Sequence, residues 1–134
     1  KTNDILKYKN YFSKETMKNN DITTLPFPFN NPDLVVFEEV YRVKYAKIAK
    51  SLKKKGIPYV ITPRGSLTYH SQKRKAFKKL IGNILFFNHF VKNAASIHYL
   101  TDKEYETSKS FKINDYFVVG NGVEIKKKIK IKNK

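Results

Sequence analysis

Polar and charged residues follow each of four short apolar segments that the sequence predicts as β-strands. In chain order these residues are Glu38, Glu39, Arg64, Gly65, Ser66, Thr101, Asn121 and Gly122. Because ligands of open α/β sheets gather at the carboxyl ends of the strands, the set is predicted to share one edge of a sheet. Acids, a base, hydroxyls and glycine-rich turns make a polar binding edge there. Most α/β sheets carry some such edge, so the pattern alone names no reaction.

The turn at 63–66 is the most informative of the four. The segment at 59–62 is a continuous apolar run bounded by Pro58 before it and Pro63 after it, which is typical of a strand buried on both faces of a parallel sheet. Arg64 and Ser66 therefore stand where a site would be built. The alternative is an ordinary strand-to-helix turn whose Arg is solvated.

Predicted strands alternate with amphipathic helices. The strands are expected at 34–37, 59–62, 96–100 and 116–119, and the helices at 13–18, 41–55, 72–93 and 101–111. Gly56 is a plausible end for the helix at 41–55, and Thr101 with Glu104 forms a capping box at the last one. From residue 34 onward the order is βαβαβαβ, which predicts an α/β fold with a Rossmann-like parallel sheet flanked by helices.

The helix at 72–93 combines an apolar stripe with a basic start. The predicted stripe consists of Phe77, Leu80, Ile84, Phe87 and Val91. The basic start consists of Lys73, Arg74, Lys75, Lys78 and Lys79. Cations at a helix N-terminus oppose the helix dipole, so we expect an external anion to offset the repulsion. A solvated lysine face is the alternative.

Net charge narrows the range of partners. The 134 residues carry 28 Lys plus Arg against 11 Asp plus Glu, a formal net charge of +17. All of these cations except Arg42, Arg64 and Arg74 are Lys, which argues against base-specific readout because that relies on bidentate Arg. The charge fits phosphate groups, anionic lipid or a nucleic-acid backbone, although a genome-wide lysine bias would account for part of it.

Composition also excludes several classes of site. With no Cys, neither a disulfide framework nor a thiolate metal site or nucleophile is possible. His70, His89 and His98 are not at metal-ligand spacing, and His98 is expected to be a satisfied histidine within its strand. No apolar run approaches the roughly 20 residues of a membrane span, and no signal-peptide pattern is visible. We predict neither a metal nor a cofactor.

Four segments in register resemble the N-terminal, acceptor-side domain of family 4 glycosyltransferases of the GT-B architecture, particularly capsular and exopolysaccharide members. They are Pro-Asp-Leu-Val-Val-Phe at 32–37, Lys-Gly-Ile-Pro-Tyr-Val-Ile-Thr-Pro-Arg-Gly-Ser-Leu at 55–67, Ala-Ala-Ser-Ile-His-Tyr-Leu-Thr-Asp-Lys-Glu at 94–104 and Val-Val-Gly-Asn-Gly-Val at 118–123. Their order and spacing agree with the family from 32 to 123, although no single motif is decisive.

The resemblance implies transfer of a sugar from a nucleotide sugar to a glycan or lipid-linked acceptor. Such transfer separates charge between the anomeric carbon and the departing phosphate. Arg64 would then orient the acceptor or face the phosphate, beside the other substrate-binding residues of the edge. Glu38 or Glu39 would hold acceptor hydroxyls or assist their deprotonation, although each is also explained as a solvated rim residue. A lipid-linked acceptor implies a cytoplasmic chain that attaches peripherally to the anionic inner face of the membrane. The basic start of the helix at 72–93 and the basic tail would provide the attraction.

Departures from the family limit what is expected of this chain. The early glycine-rich loop of relatives has no counterpart, since all glycines lie at or after Gly56, and many relatives carry His where this chain has Arg64. We expect 1–123 to be an acceptor-side domain that is incomplete at its N-terminus, followed by a basic tail or linker at 124–134. Without the donor-binding domain, the chain alone is expected to be inactive.

Two other classes stay open at this point. A non-enzymatic basic domain that binds polyanions or nucleic acid would explain the charge, but no zinc, helix-turn-helix or RNA-recognition signature is visible, so no specific nucleic acid is expected. A flavodoxin-like or response-regulator-like domain would need a phosphate loop or an acidic cluster at the first strand, and neither is present.

Overall fold

Parallel strands form the centre of the structure. The computed structural model describes residues 20–27, 29–74 and 76–122. The strands are β1 (Val35–Glu38), β2 (Tyr59–Thr62), β3 (Ser96–Tyr99) and β4 (Tyr116–Val118). The helices are α1 (Val43–Lys54), α2 (Tyr69–Lys73), α3 (Ala76–Gly82), α4 (Asn88–Lys92) and α5 (Asp102–Thr107), with a π-helical turn at Asn83–Phe87 and a 3-10 turn at Ile22–Thr24. The predicted helix at 13–18, Lys75 and the tail at 124–134 lie outside the described residues.

The sheet has the strand order β1-β2-β3-β4, and every neighbouring pair is parallel. Phe37 pairs with Ile61, and Ile61 pairs with Ile97, so apolar side chains line up across the sheet on one face. The predicted α/β class with a Rossmann-like parallel sheet flanked by helices is confirmed. Because crossovers between adjacent parallel strands are right-handed, successive strands in this order direct their helices to the same face.

Aromatic and aliphatic side chains fill the space between that face and the helices. Phe37 of β1 lies edge-on to Tyr59 of β2 and to Phe90 of α4, with ring centroids 5.5 and 5.2 Å apart. Helix α1 contributes the fully buried Leu52 and the nearly buried Ile48. Edge-to-face aromatic pairs add about 0.5–1.5 kcal/mol each beyond area burial, so this cluster anchors the helices on the sheet.

Helix α1 ends where its sequence predicts. Gly56 adopts a positive φ of 70°, and the N–H of Ile57 donates to the carbonyl oxygen of Leu52 at 3.1 Å. This is the Schellman arrangement, which satisfies carbonyl groups that a helix end leaves free. It turns the chain sharply into β2.

The predicted helix at 72–93 is interrupted twice. Arg74 has extended backbone after α2, and a π-helical turn separates α3 from α4 with the N–H of Asn88 donating to the carbonyl oxygen of Asn83. A π turn places an extra residue in the helical repeat and shifts the buried face. Phe87 is therefore buried, whereas Ile84 is exposed. The predicted apolar stripe from Phe77 to Val91 is therefore buried only in its second half.

The opposite face of the sheet carries apolar residues with less cover. Side chains alternate between the two faces of a strand, so Val36 and Phe117 point away from the helices, and both are about half exposed. The two inner strands β2 and β3 are the most enclosed, since each has three buried residues and one half-buried residue. Among residues 20–27, 29–74 and 76–122, no helix is both long and apolar enough to cross a membrane.

Candidate functional site

A strained turn follows β2 at the carboxyl edge of the sheet. Arg64 and Gly65 both have positive φ, 49° and 75°, and the N–H of Ser66 donates to the carbonyl oxygen of Pro63 at 3.0 Å. Two left-handed residues in the centre of a hydrogen-bonded turn match the type I′ pattern. Positive φ is uncommon for a residue other than glycine, and such strain concentrates at functional sites. The turn holds the Arg64 side chain at the rim.

The neighbouring strand end fixes the Arg64 side chain. Its guanidinium donates to Oε2 of Glu38 through both Nε and Nη2. Both side chains remain about half exposed, so the pair contributes at most about 1 kcal/mol to stability. Its main effect is orientation, because two nitrogens on one carboxylate leave the guanidinium little rotational freedom.

Glu39 has a different partner. It also has a positive φ, 78°, and its Oε2 accepts a hydrogen bond from Nε of Arg42 at 2.8 Å. The two predicted catalytic carboxylates therefore face separate arginines. Of these two carboxylates, only that of Glu38 contacts a residue of the β2 turn.

A buried carboxylate joins the β2 turn to the end of β3. Glu104 of α5 accepts the N–H of Gly65 on Oε1 and the N–H of Leu100 on Oε2, the latter at 2.9 Å. The N–H of Glu104 donates to Oγ1 of Thr101 at 3.1 Å, which confirms Thr101 as the N-cap. In a full capping box the Glu side chain would bind the N–H of Thr101. Here it binds two other N–H groups and locks the two strand ends together.

Beside these strand ends lies an open cleft of about 460 Å³. The residues lining it are Arg64, Gly65, Thr68, His70, Leu100, Thr101, Lys103, Glu104 and Thr107. The structure thus brings together three predicted site residues, Arg64, Gly65 and Thr101. Hydroxyls, a cation and an apolar floor in one concave surface suit a polar organic ligand.

Sequence reasoning missed several of the lining residues. Thr68 and His70 lie at the start of α2, and Lys103 and Thr107 lie on α5. Their spacing in the sequence carries no signal. They come together because α2 and α5 both begin at the carboxyl edge of the sheet.

Other predicted site residues lie outside the lining of this cleft. The hydroxyl oxygen of Ser66 is buried, and among the described residues no hydrogen-bond partner for it is found. Asn121 and Gly122 are exposed beyond β4. Each therefore stands apart from the surface that Arg64 and Thr101 share.

His98 has partners for both ring nitrogens. Nε2 lies 2.8 Å from the carbonyl oxygen of Val119, and Nδ1 lies 3.3 Å from Oγ1 of Thr62. Because a carbonyl oxygen only accepts, Nε2 carries the proton, and Nδ1 accepts from the Thr62 hydroxyl. The prediction of a satisfied histidine is confirmed. In the described part of the chain, no group of three or more His, Asp or Glu side chains could hold a metal ion.

The predicted basic cluster divides between two helices. Helix α2 ends at Lys73, so Lys73 stands in a last turn, where a cation favours the helix dipole. The prediction that all five cations oppose one helix N-terminus is wrong, because the break at Arg74 ends α2 before α3 begins. Lys78 and Lys79 belong to α3, and Lys75 lies outside the described residues.

Lys79 is held inward. Its Nζ donates to Oγ of Ser71 at 2.8 Å and lies 4.8 Å from the ring centre of Tyr41. Burial lowers the pKa of Lys79, and the nearby charge of Arg74 lowers it further. Lys73, Arg74 and Lys78 are exposed and remain available to an external anion.

Comparison of the chain with protein-family models, with curated proteins and with solved structures gives no match.

Proposed function

We propose that this chain is the acceptor-binding part of a glycosyltransferase that moves a sugar from a nucleotide sugar to a hydroxyl of a glycan or lipid-linked acceptor. The observation that carries the proposal is the Arg64 turn, which projects a guanidinium beside a hydroxyl-lined cleft at the carboxyl edge of a parallel sheet. The four segments that resemble family 4 glycosyltransferases supply the reaction class, and two of them, at 55–67 and 94–104, build this cleft.

Arg64 and the cleft hydroxyls have distinct roles in the proposal. The pair with Glu38 fixes the guanidinium beside the cleft, where it orients the acceptor or faces the negative charge that develops on the departing phosphate. Such preorganised groups stabilise a transition state without reorganising. Thr68 and Thr107 donate their hydroxyl hydrogens to the carbonyl oxygens of Gly65 and Lys103, so their oxygens are left to accept from sugar hydroxyls. The Thr101 hydroxyl accepts from the N–H of Glu104 and keeps its hydrogen for a sugar oxygen. Glu38 and Glu39 provide carboxylates that hold acceptor hydroxyls or assist their deprotonation.

The proposal assigns acceptor binding, and not binding of the donor nucleotide, to these 134 residues. Calorimetric titration with uridine and guanosine diphosphate sugars should therefore show no micromolar site in the isolated chain. Saturable binding would contradict the assignment of the donor site. The proposal also places the chain at the cytoplasmic face of the membrane, where it meets a lipid-linked acceptor.

Acceptor binding gives the direct test. Amide NMR spectra of the full chain should shift at Gly65, Leu100 and Lys103 when short oligosaccharides are added, and Arg64→Gln should weaken the effect. Lys109→Gln is the matched control, since this exposed cation lies outside the cleft lining. Shifts confined to other surfaces, or absent for every glycan, would refute the site.

Binding of a polyanion is the second candidate function, and the distribution of charged residues along the chain favours it. No Asp or Glu lies between Glu39 and Asp102, whereas 14 Lys and Arg residues do. This charge favours an anionic partner but does not by itself name one. Titration with duplex DNA over a salt series separates the two functions. Tight binding that survives physiological salt would favour the polyanion binder, and binding lost with rising salt would indicate nonspecific attraction.

A further inference from the structure

Helix α3 and the π-helical turn carry an exposed apolar stripe. Its members and their exposed fractions are Phe77 (76%), Leu80 (57%), Ile81 (44%), Ile84 (68%) and Leu85 (63%). They follow the spacing i, i+3, i+4, i+7 and i+8, which puts them on one face of a helix. Scattered exposed apolar residues need no explanation, but a contiguous stripe of large side chains marks an interaction surface. We call these five residues the α3 stripe.

Cations border the α3 stripe. Lys73 and Arg74 precede α3, and Lys78 lies between Phe77 and Leu80; all three are exposed. Helix α3 contains no Asp or Glu, and the sequence has none between Glu39 and Asp102. If a second copy of the chain packed on the α3 stripe through the same surface, the bordering cations of the two copies would repel each other. Charge complementarity therefore selects a partner that is both apolar and anionic.

A groove beside the stripe extends this surface toward α1. It has a volume of about 490 Å³ and is lined by Ala46, Lys47, Lys50, Leu85, Phe86 and His89. Leu85 belongs to both features, so the groove continues the stripe. Lys47 and Lys50 repeat the pattern of long cations beside apolar side chains, whose stems cover apolar surface while their ammonium groups reach outward.

From these features we infer that the α3 stripe inserts into the interface of an anionic bilayer, with Lys73, Arg74 and Lys78 on the lipid phosphates. An amphipathic helix with a basic polar flank and large apolar residues lies in the plane of such an interface. The π-helical turn produces this surface, because it directs Phe87 into the core while Ile84 and Leu85 stay outside. The inference deepens the membrane placement in the proposed function by naming the surface that meets the lipid. The stripe is separate from the Arg64 cleft, so vesicle binding and glycan binding are tested separately.

A tryptophan reporter tests insertion directly. The chain has no Trp, so Phe77→Trp in the full chain gives a single emitter on the stripe. Phe117→Trp is the control, since Phe117 is an exposed Phe on the opposite side of the sheet. With vesicles containing phosphatidylglycerol, emission of the Trp at 77 should shift to shorter wavelength and become shielded from acrylamide, while emission at 117 should not change. No shift at 77, or an equal shift at both positions, would overturn the inference.

Co-sedimentation separates the apolar and ionic contributions. Replacing Lys73, Arg74 and Lys78 by Gln should lower partitioning onto phosphatidylglycerol vesicles by about a hundredfold, because each cation near the surface contributes a factor of about five. The matched control replaces Lys54, Lys109 and Lys112 by Gln, which removes the same charge from other exposed positions. An equal loss in both triple variants would overturn the assigned location.

A second triple variant tests the contribution of the apolar side chains of the α3 stripe to vesicle binding. Phe77→Ser with Leu80→Ser and Ile84→Ser should lower partitioning by more than about tenfold. The control, Leu34→Ser with Val36→Ser and Val119→Ser, changes apolar residues of similar exposure elsewhere and should bind like the parent. Parent-like binding of the stripe variant would overturn insertion. A vesicle-free emission shift at 77 that grows with protein concentration would overturn it too, since the stripe would then join two copies of the chain.

Discussion

At the scale of single residues, the site contains backbone conformations that residues other than glycine rarely adopt. Glu39, Arg64 and Gly65 all have positive φ, and they lie after the adjacent strands β1 and β2. The sequence predicted a turn with Arg64 at a strand end, but it carries no signal that Glu38 would hold the guanidinium. That pairing depends on the parallel register of β1 and β2, which sets Glu38 opposite Thr62.

Gly65→Ala should lower the free energy of unfolding by about 1–2 kcal/mol, because a left-handed backbone costs that much in a residue with a Cβ. The space around a Cβ at this position is open, so the effect is conformational. Urea denaturation measures it. Gly122→Ala is the control: its space is also open and its φ is not positive, so its unfolding should stay within about 0.5 kcal/mol of the parent. Equal effects at both positions would contradict the explanation.

Glu104→Gln should destabilise the chain by about 1.5–3 kcal/mol. An amide keeps one acceptor oxygen and places an NH2 group against an N–H donor, so one of the bonds to Gly65 and Leu100 is lost in a buried setting. Amide NMR shifts of Gly65 and Leu100 should move with it. Glu106→Gln, on the exposed side of the same helix, should leave both the stability and these shifts nearly unchanged.

At the scale of elements, predictions succeeded where burial determines the pattern. The strands and α1 follow from apolar runs, helical spacing and Gly56, all of which are local signals. The break at Arg74 was missed because Arg favours helices. The π-helical turn was missed although it begins at Gly82-Asn83, two residue types that often end helices, because here the helix continues beyond them. Tertiary packing decides both: Gln72 donates to the carbonyl oxygen of Ser66, and Phe87 packs edge-on against Tyr41.

Tyr99 of strand β3 should lower the free energy of unfolding at alkaline pH. Burial raises the pKa of Tyr99 to about 12, and the Glu104 carboxylate adds to the shift. The unfolded chain loses this proton near pH 10, so the unfolded state is favoured progressively as the pH rises from about 10 to 12. The contribution of Tyr99 to stability should be constant below about pH 9 and fall by up to about 2–3 kcal/mol across that range. Urea midpoints at pH 9, 10 and 11 measure the slope.

Tyr99→Phe is the variant that isolates this effect, since it keeps the ring and removes the titrating group. Its stability should fall less steeply with pH than that of the parent. Burial also raises the pKa of Tyr59, so a residual slope should persist in this variant. Identical slopes for parent and variant would show that Tyr99 does not contribute.

At the scale of the whole molecule, one sheet separates two kinds of surface. The Arg64 cleft lies at the carboxyl edge of the sheet. The α3 stripe, with the cations that border it, lies on the helices of the covered face. The sequence predicted both the basic residues and an apolar stripe with Phe77, Leu80 and Ile84, and the structure leaves these three side chains exposed. Hydrophobic spacing identifies the face of a helix without indicating whether that face meets the sheet or extends beyond it.

A net charge of +17 should make the stability of the chain depend on salt. Like charges in the folded state repel each other more than in the expanded unfolded chain, and added salt screens them over a Debye length of about 10 Å at 0.1 M. Raising NaCl from 10 to 200 mM should therefore increase the free energy of unfolding by on the order of 1 kcal/mol. Urea is the suitable denaturant because it adds no ions. The variant with Lys54, Lys109 and Lys112 replaced by Gln should show a smaller increase, and a stability that falls with salt would indicate that attractive ion pairs outweigh the repulsion.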